Sequence, residues 1–232
     1  MSNRGMKEPH YTPVAQQHQT SLEGNATTAV LQLKGLDFGY PGHQLFTSLS
    51  ADILPGVTLI QGGDGRGKTT LVRLLAGDLQ ADAGQLQIGA ASMQEQAAAY
   101  RQQVFWIDPR TEAFDQITAL EFFESQCAAC PAFDERILGK LVDCLDLAPH
   151  THKKLFMLST GSKRKVWMAA AFASGAAVTL LDMPFAALDK ASIGFILEFL
   201  QDVSDHPQRA WVLADYEAPA GVRLAGVIAL GD

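Results

Sequence analysis

A run of eight residues between an apolar segment and a helical pattern constrains this chain more than any other feature. The run reads Gly62-Gly63-Asp64-Gly65-Arg66-Gly67-Lys68-Thr69 and matches the pattern G-x-x-x-x-G-K-S/T. Apolar residues 57–60 before it predict a strand, and leucines at 71, 74 and 75 after it predict a helix. Glycines let backbone N–H groups curl round phosphate groups, and the helix N-terminus adds positive potential. The sequence therefore predicts a phosphate-binding loop, the P-loop.

Two side chains of the P-loop have predictable tasks towards a nucleotide. Lys68 would reach the β- and γ-phosphates, and the Thr69 hydroxyl would ligate Mg²⁺. Thr70 and the remaining loop residues complete the predicted nucleotide-binding set. Asp64 is unusual because it places a negative charge beside the phosphates. The alternative is a glycine-rich turn that contains Lys-Thr by chance, and the flanking strand and helix favour the P-loop.

Composition excludes several other classes of protein. The chain has 232 residues, of which 25 are acidic and 18 are basic, so its net charge of −7 makes it a poor partner for nucleic acid. Three cysteines cannot all pair, and we expect a reducing, intracellular setting. Cys127 and Cys130 form a lone C-x-x-C, which indicates thiols of a helical region rather than a structural zinc site, since such sites usually need four ligands. No stretch predicts a membrane span or a secretory signal, so any role at a membrane would require a partner.

The order of predicted elements is typical of an α/β domain with a mainly parallel sheet. Residues 1–28 are polar and without period, which predicts a disordered tail, and residues 29–232 form the predicted domain. A helical block at about 115–160 is predicted to be an inserted subdomain. Strands are predicted near 30–33, 45–53, 57–60, 85–88 (as an edge strand), 104–107, 177–181, 210–214 and 227–230. Helices are predicted near 118–127, 134–146, 162–174 and 190–203.

Further motifs follow the P-loop in a recognisable order. Leu158-Ser159-Thr160-Gly161-Ser162 resembles the LSGGQ signature of the ABC ATPases. Residues 178–182 resemble that family's Walker B strand, which ends in Asp182, and residues 183–189 resemble its D-loop, which ends in Asp189. Tyr40 resembles the A-loop aromatic that stacks on adenine. Together these motifs identify residues 29–231 as a member of the ABC ATPase family.

The resemblance implies a P-loop NTPase of the ABC type, with an ATP-binding core, an antiparallel β region and a helical subdomain. Such domains act in pairs, with two ATP molecules held between the P-loop of one subunit and the signature, here Ser159 and Gly161, of the other. Thr69 and Asp182 would hold Mg²⁺. The implied partners are a second ABC subunit and membrane-spanning permease subunits, which would place the chain in the cytoplasm at the inner face of the membrane. Four aromatic residues are assigned either to a permease-docking surface or to the core: Phe105, Trp106, Phe122 and Phe123.

Three positions depart from the family pattern. The general base of the family is a glutamate directly after the Walker B aspartate, and here that position is Met183, which we interpret as a core filler. The Q-loop glutamine is replaced by Asp108 or by Pro109, depending on one gap, and Asp108 would approach Mg²⁺ through water. The switch histidine is replaced by Tyr216, or by Asp215 if the preceding loop is one residue shorter.

These departures predict weak or absent hydrolysis in the chain's own site. The leading hypothesis is the ATP-binding subunit of an ABC transporter, with ATP and Mg²⁺ as ligands. The alternative is a regulatory or structural subunit that binds ATP without turning it over. A soluble ABC ATPase outside transport is disfavoured because the chain has neither paired domains nor a basic surface.

Overall fold

The computed structural model describes residues 28–231, so the predicted tail lies outside the described residues except for Thr28. Two sheets and a helical region make up the described chain. The strands are β1 (Leu31–Tyr40), β2 (His43–Ile53), β3 (Gly56–Gln61), β4 (Ala83–Ile88), β5 (Ala91–Ser92), β6 (Val104–Phe105), β7 (Val178–Asp182), β8 (Ala210–Asp215) and β9 (Leu224–Ala229). The helices are α1 (Lys68–Leu75), α2 (Ala97–Arg101), α3 (Ala119–Ala129), α4 (Glu135–Cys144), α5 (Thr160–Ala173) and α6 (Lys190–Val203).

The central sheet is parallel, with strand order β6-β7-β8-β3-β9. All five residues of β7 are buried, and β3 and β8 are almost as deeply buried. Parallel sheets carry helices on both faces, and this explains why these strands read as continuous apolar runs. The register pairs Gln61 with Asp215, and Asp182 lies beside Ala214 on the next strand. The strands therefore end together at one edge, where ligands bind in sheets of this kind.

The second sheet is antiparallel, with strand order β2-β1-β4-β5. Buried residues alternate with more exposed ones along β1, and Leu31 and Leu33 pack into one core cluster with α1 and the adjoining face of the parallel sheet. The predicted antiparallel region is confirmed. The prediction of an edge strand at 85–88 is wrong, because β4 pairs with β1 on one side and with β5 on the other.

The helical region lies between β6 and β7, as predicted. A capping box begins α3: the Thr118 N–H donates to the Glu121 carboxylate at 2.7 Å, and the Glu121 N–H donates to the Thr118 hydroxyl at 3.1 Å. Asp134 caps α4 by accepting the N–H groups of residues 136 and 137. Trp167 of α5 packs edge-on against Phe122 of α3, with ring centroids 4.7 Å apart. This aromatic contact ties the helical region to the helix that follows the signature.

The four aromatic residues with an open assignment belong to the core. Phe105, Phe122 and Phe123 are buried, and Trp106 is half-buried and packed against core residues. Phe156 and Met157 of this region are instead exposed, at 55% and 60%. Within residues 28–231, no helix has the length and apolar character that crossing a membrane requires.

Candidate functional site

The P-loop connects β3 to α1 at the carboxyl edge of the parallel sheet. Gly65 and Gly67 have φ values of +72° and +91°, a region that other residues rarely adopt. A Cβ atom on Gly67 would also lie 2.9 Å from the Phe46 ring. Glycine is therefore required at residue 67 by both backbone conformation and space, and α1 begins directly after it with Lys68.

A cleft of about 340 Å³ opens over the P-loop. Its wall combines P-loop residues with side chains from four other parts of the chain, and those distant side chains include Tyr40, Arg110, Met183 and Tyr216. The Tyr40 hydroxyl lies 3.4 Å from the Thr70 hydroxyl. Tyr40 also packs edge-on against Phe38, with ring centroids 5.2 Å apart. The structure thus brings the predicted A-loop aromatic, the P-loop and residue 183 to one cleft.

Lys68 is buried and fully engaged by protein groups. Its ammonium donates to the carbonyl of Gly62 at 2.7 Å and to the carbonyl of Gly63 at 2.9 Å. It also lies 3.9 Å from the centroid of the Tyr216 ring, a cation–π distance. The Tyr216 hydroxyl donates to the carboxylate of Asp64. Of the two candidates for the switch position, Tyr216 rather than Asp215 therefore faces the P-loop.

The side chains proposed for Mg²⁺ fit a hard cation. Asp182 ends β7 at 6% exposure, and its Oδ1 atom has no hydrogen-bond partner within residues 28–231. Burial raises the pKa of Asp182, while a hydrogen bond from the Thr69 hydroxyl acts in the opposite direction. A carboxylate oxygen without a partner, beside a hydroxyl, is the donor set that Mg²⁺ prefers.

The position of Asp108 supports a role in Mg²⁺ binding less directly than the positions of Thr69 and Asp182 do. Its carboxylate accepts the N–H of Arg110 at 2.9 Å, so it is turned towards its own loop, and it is not part of the cleft wall. The charge of Asp108 does contribute to the raised pKa of Asp182, which places the two groups in the same neighbourhood. A water-mediated contact from Asp108 to Mg²⁺ stays a prediction.

Met183 lines the cleft, so its interpretation as a core filler is wrong. The residue has φ +50°, and this left-handed conformation marks the sharp turn directly after β7. Arg164 of α5 fixes the turn from behind, since its guanidinium donates to the carbonyl of Asp182 at 3.2 Å and to the carbonyl of Met183. Burial lowers the pKa of Arg164. A thioether faces the cleft at this position, and it cannot accept a proton from water as a carboxylate does.

Sequence reasoning missed the two arginines of this region. Arg110 lines the cleft two residues after Asp108, and Arg164 lies five residues after Ser159. Neither is part of a motif that predicts its contact. The basic character of residues 163–165 was a visible signal, but it did not indicate which side chain would turn towards β7.

The signature and the D-loop pack together outside the cleft. Ser159 caps α5: its hydroxyl oxygen accepts the N–H of Ser162 at 3.1 Å. A Cβ atom on Gly161 would lie 2.4 Å from the carbonyl oxygen of Ala187 in the D-loop. Asp189 caps α6 and pairs with Lys165 at 2.7 Å, and these contacts, led by the Lys165 hydrogen bond, hold the pKa of Asp189 well below its usual range.

The comparisons with known proteins agree with this geometry. A family model described as ABC transporter matches residues 46–186. The chain belongs to the ABC transporter ATP-binding family. The cytochrome c biogenesis ATP-binding export protein CcmA of Pseudomonas savastanoi is 31% identical over 70% of this chain and 77% of the relative. The taurine import ATP-binding protein TauB of Pseudomonas fluorescens is 28% identical over 85% of this chain and 75% of the relative.

A solved structure shows the same fold. The ATP-binding subunit of an ABC transporter superposes on this ABC domain with a TM-score of 0.74 at 21% identity, over 81% of this chain and 80% of the other. Such a match identifies the ABC fold, with its mixed α/β core and its antiparallel sheet. The family model and the curated relatives make the chain an ATP-binding subunit of the ABC transporter type.

Proposed function

We propose that this ABC subunit binds MgATP in the P-loop cleft and that its own site hydrolyses ATP weakly or not at all. The observation that carries the proposal is Met183, which lines the cleft directly after Asp182. In the family the corresponding residue is the glutamate that activates water. Losing a positioned general base lowers the rate by roughly 10²- to 10⁴-fold.

The binding groups of the site support the first half of the proposal. Backbone N–H groups of the P-loop and the Lys68 ammonium would hold the phosphates, and the Tyr40 ring would pack against adenine. Thr69 and Asp182 would hold Mg²⁺, with Asp108 contributing through water. When bound, Mg²⁺ neutralises part of the phosphate charge. The chain thus retains its binding groups and has changed the groups that position and deprotonate water.

We propose further that the signature serves a second ABC subunit. Ser159, Gly161 and Asp189 lie outside the chain's own cleft and form one packed unit with α5 and α6. The N-terminus of α5 carries backbone N–H groups that suit the γ-phosphate of a nucleotide on a partner's P-loop. In a heterodimer with an intact partner, hydrolysis would therefore take place mainly in the site whose base belongs to the partner.

We propose that this subunit binds a membrane permease. The names of the relatives describe one export protein and one import protein, so the class of partner is common to them while the direction of transport is not. Phe156 and Met157 are exposed between the Asp115 loop and the signature, and we assign them to the permease contact. Through that contact the chain would lie in the cytoplasm at the inner face of the membrane.

The alternative function is a regulatory or structural subunit that binds ATP without turnover. The same Met183 supports it, together with the engagement of Lys68 by Tyr216. The two functions differ in the partner they need. Co-purification of the tagged chain with a multi-span permease favours transport, whereas a stable complex with ABC subunits alone favours the regulatory role.

Nucleotide binding itself is tested by thermal denaturation with and without MgATP. A ligand that binds only the folded state raises its stability by RT ln(1 + [L]/Kd), or about 2.7 kcal/mol at a hundred times Kd. Lys68→Ala is expected to abolish this stabilisation. Lys140→Ala removes the same charge from the exposed face of α4 and is expected to leave the stabilisation intact. Unchanged stabilisation of Lys68→Ala by MgATP would remove the P-loop from the account.

A further inference from the structure

Tyr216 contacts two of the three charged side chains of the P-loop, Lys68 and Asp64. Its ring lies over the Lys68 ammonium, at 3.9 Å, and its hydroxyl donates to the Asp64 carboxylate. Its backbone carbonyl accepts a hydrogen bond from the Gln61 side chain at 3.0 Å, and its N–H donates to the Asp215 carboxylate at 2.7 Å. The residue follows directly after the end of β8, so the sheet fixes its backbone beside the P-loop.

Three protein groups already occupy the Lys68 ammonium. An ammonium has three N–H groups. Lys68 directs donors to the carbonyls of Gly62 and Gly63, and the Tyr216 ring covers the ammonium as well. A phosphate oxygen that binds Lys68 must therefore displace one of these protein groups. The Tyr216 ring is the weakest of the three, because a ring quadrupole attracts an ammonium less strongly than a carbonyl oxygen that accepts a hydrogen bond from it.

The second contact concerns the charge of Asp64. A carboxylate in the P-loop repels the phosphates that the loop is built to hold. The Tyr216 hydroxyl stabilises that carboxylate by donating to it, and the same hydrogen bond raises the pKa of Tyr216, which keeps the phenol protonated as a donor. If Tyr216 moves away, Asp64 loses its donor at the moment when an anion arrives beside it.

Both side chains lie at the surface. Tyr216 is 44% exposed and Asp64 is exposed, so neither is held by core packing. The contact also joins two departures from the family pattern, an acidic residue in the P-loop and a tyrosine at the switch position. A tyrosine that merely filled space would not need to meet the ammonium with its ring and the carboxylate with its hydroxyl.

We propose that Tyr216, Asp64 and Lys68 form a latch that closes the phosphate end of the cleft and must open before a nucleoside triphosphate can bind. The proposal rests on the proposed MgATP binding. The latch lowers the affinity of the isolated chain for MgATP, and any partner that draws Tyr216 away from the P-loop raises it. The latch therefore makes nucleotide binding dependent on the position of the Tyr216 side chain.

The first test needs no nucleotide. Thermal and urea denaturation of wild type, Tyr216→Phe, Asp64→Ala and the double variant forms a double-mutant cycle. For a hydrogen bond between two exposed side chains we expect a coupling of roughly three- to ten-fold in the unfolding equilibrium constant. Additive effects of the two substitutions would overturn the latch, because they would show that the two side chains do not interact.

The second test measures MgATP affinity by isothermal titration calorimetry. Tyr216→Phe and Asp64→Asn are expected to tighten binding, each by roughly three- to ten-fold, and Tyr216→Ala by more, since it also uncovers Lys68. Glu217→Gln removes a neighbouring exposed charge that is outside the latch and is expected to leave the affinity unchanged. If wild type binds MgATP and Tyr216→Ala binds it equally well or more weakly, the latch is contradicted. The proposed MgATP binding would still stand.

The two proposals fail in different ways. If neither wild type nor any latch variant binds MgATP, the proposed function is contradicted, and with it the role of the latch, even where the cycle without nucleotide shows coupling. If wild type does not bind MgATP but Tyr216→Ala does, both proposals are supported and the latch is the reason for the weak binding.

Discussion

The signature and D-loop region differs from the P-loop cleft in how completely its polar groups are satisfied. In the first region the Ser159 hydroxyl caps α5, and Asp189 caps α6 while pairing with Lys165. In the second, Asp182 keeps a buried oxygen without a partner in the described chain, and Lys68 is tied to its own loop and to Tyr216. The named polar groups of the first region are therefore satisfied by other groups of the chain, whereas within residues 28–231 the Asp182 Oδ1 atom is not. This difference supports the proposal that the signature serves a partner subunit while the chain's own site hydrolyses ATP weakly or not at all.

Restoring the general base is expected to give the largest effect. Met183→Glu places a carboxylate in the cleft directly after Asp182, and turnover of the chain alone is expected to rise by roughly 10²- to 10⁴-fold over wild type. Met183→Gln is the matched control, because it has the same shape and the same left-handed backbone at residue 183 but no base. Steady-state phosphate release measures both. Equal turnover of the two variants would show that more than the base is missing from the cleft.

A substitution in the signature is expected to act on stability instead. A Cβ atom on Gly161 would lie 2.4 Å from the Ala187 carbonyl oxygen, so Gly161→Ala must displace the D-loop backbone. We expect a loss of about 1–3 kcal/mol in the free energy of unfolding, as for other overpacked sites. Stabilisation by MgATP is expected to persist, because Gly161 does not line the cleft.

Gly139 of α4 provides the control for that substitution. Apart from its chain neighbours and the adjoining α4 backbone, no atom of residues 28–231 lies within 4 Å of a Cβ built on Gly139, so Gly139→Ala is expected to stabilise the chain by about 0.5–1 kcal/mol through helix propensity. Urea denaturation of both variants measures the difference. A Gly161→Ala variant as stable as wild type would contradict the close packing of the signature against the D-loop.

The smallest expected effect is the pH dependence carried by Asp189. Its contacts lower its folded-state pKa below the unfolded value, so they stabilise the fold above the unfolded pKa, and this stabilisation is lost as the pH falls through the folded value. Asp189→Asn is expected to lower the melting temperature at neutral pH and to remove this part of the acid sensitivity. Melting curves between neutral and acidic pH measure it. Parallel curves for wild type and variant would contradict the assigned role of the Lys165 ion pair.

Much of this comparison could be predicted from the sequence, because the relevant signals are local. The P-loop, the Walker B strand, the signature and the D-loop each depend on residue types at short, fixed spacing. Elements that lack such a pattern were missed: α2 has five residues and β5 has two. Trp106 and Ile107 were assigned to a strand on hydrophobicity, but β6 ends at Phe105.

The contacts that distinguish the cleft could not be predicted in this way. The hydrogen bond between Tyr216 and Asp64 joins residues 152 positions apart, and it depends on the register of β8 beside β3. The burial of Asp182 and the turn of Arg164 towards Met183 likewise follow from packing between α5 and β7. The residue types at 64, 183 and 216 indicated an altered site, while only the structure showed that the Tyr216 side chain contacts both Asp64 and Lys68.

ATP turnover by the unmodified chain at saturating MgATP, measured alongside MgATP binding, tests the central claim most directly. We expect the unmodified chain to bind MgATP and to release phosphate at a rate close to background, and we expect Lys68→Ala to lose the binding. Brisk turnover that Lys68→Ala abolishes would contradict it, because it would show that a group other than a residue at position 183 activates water in this cleft.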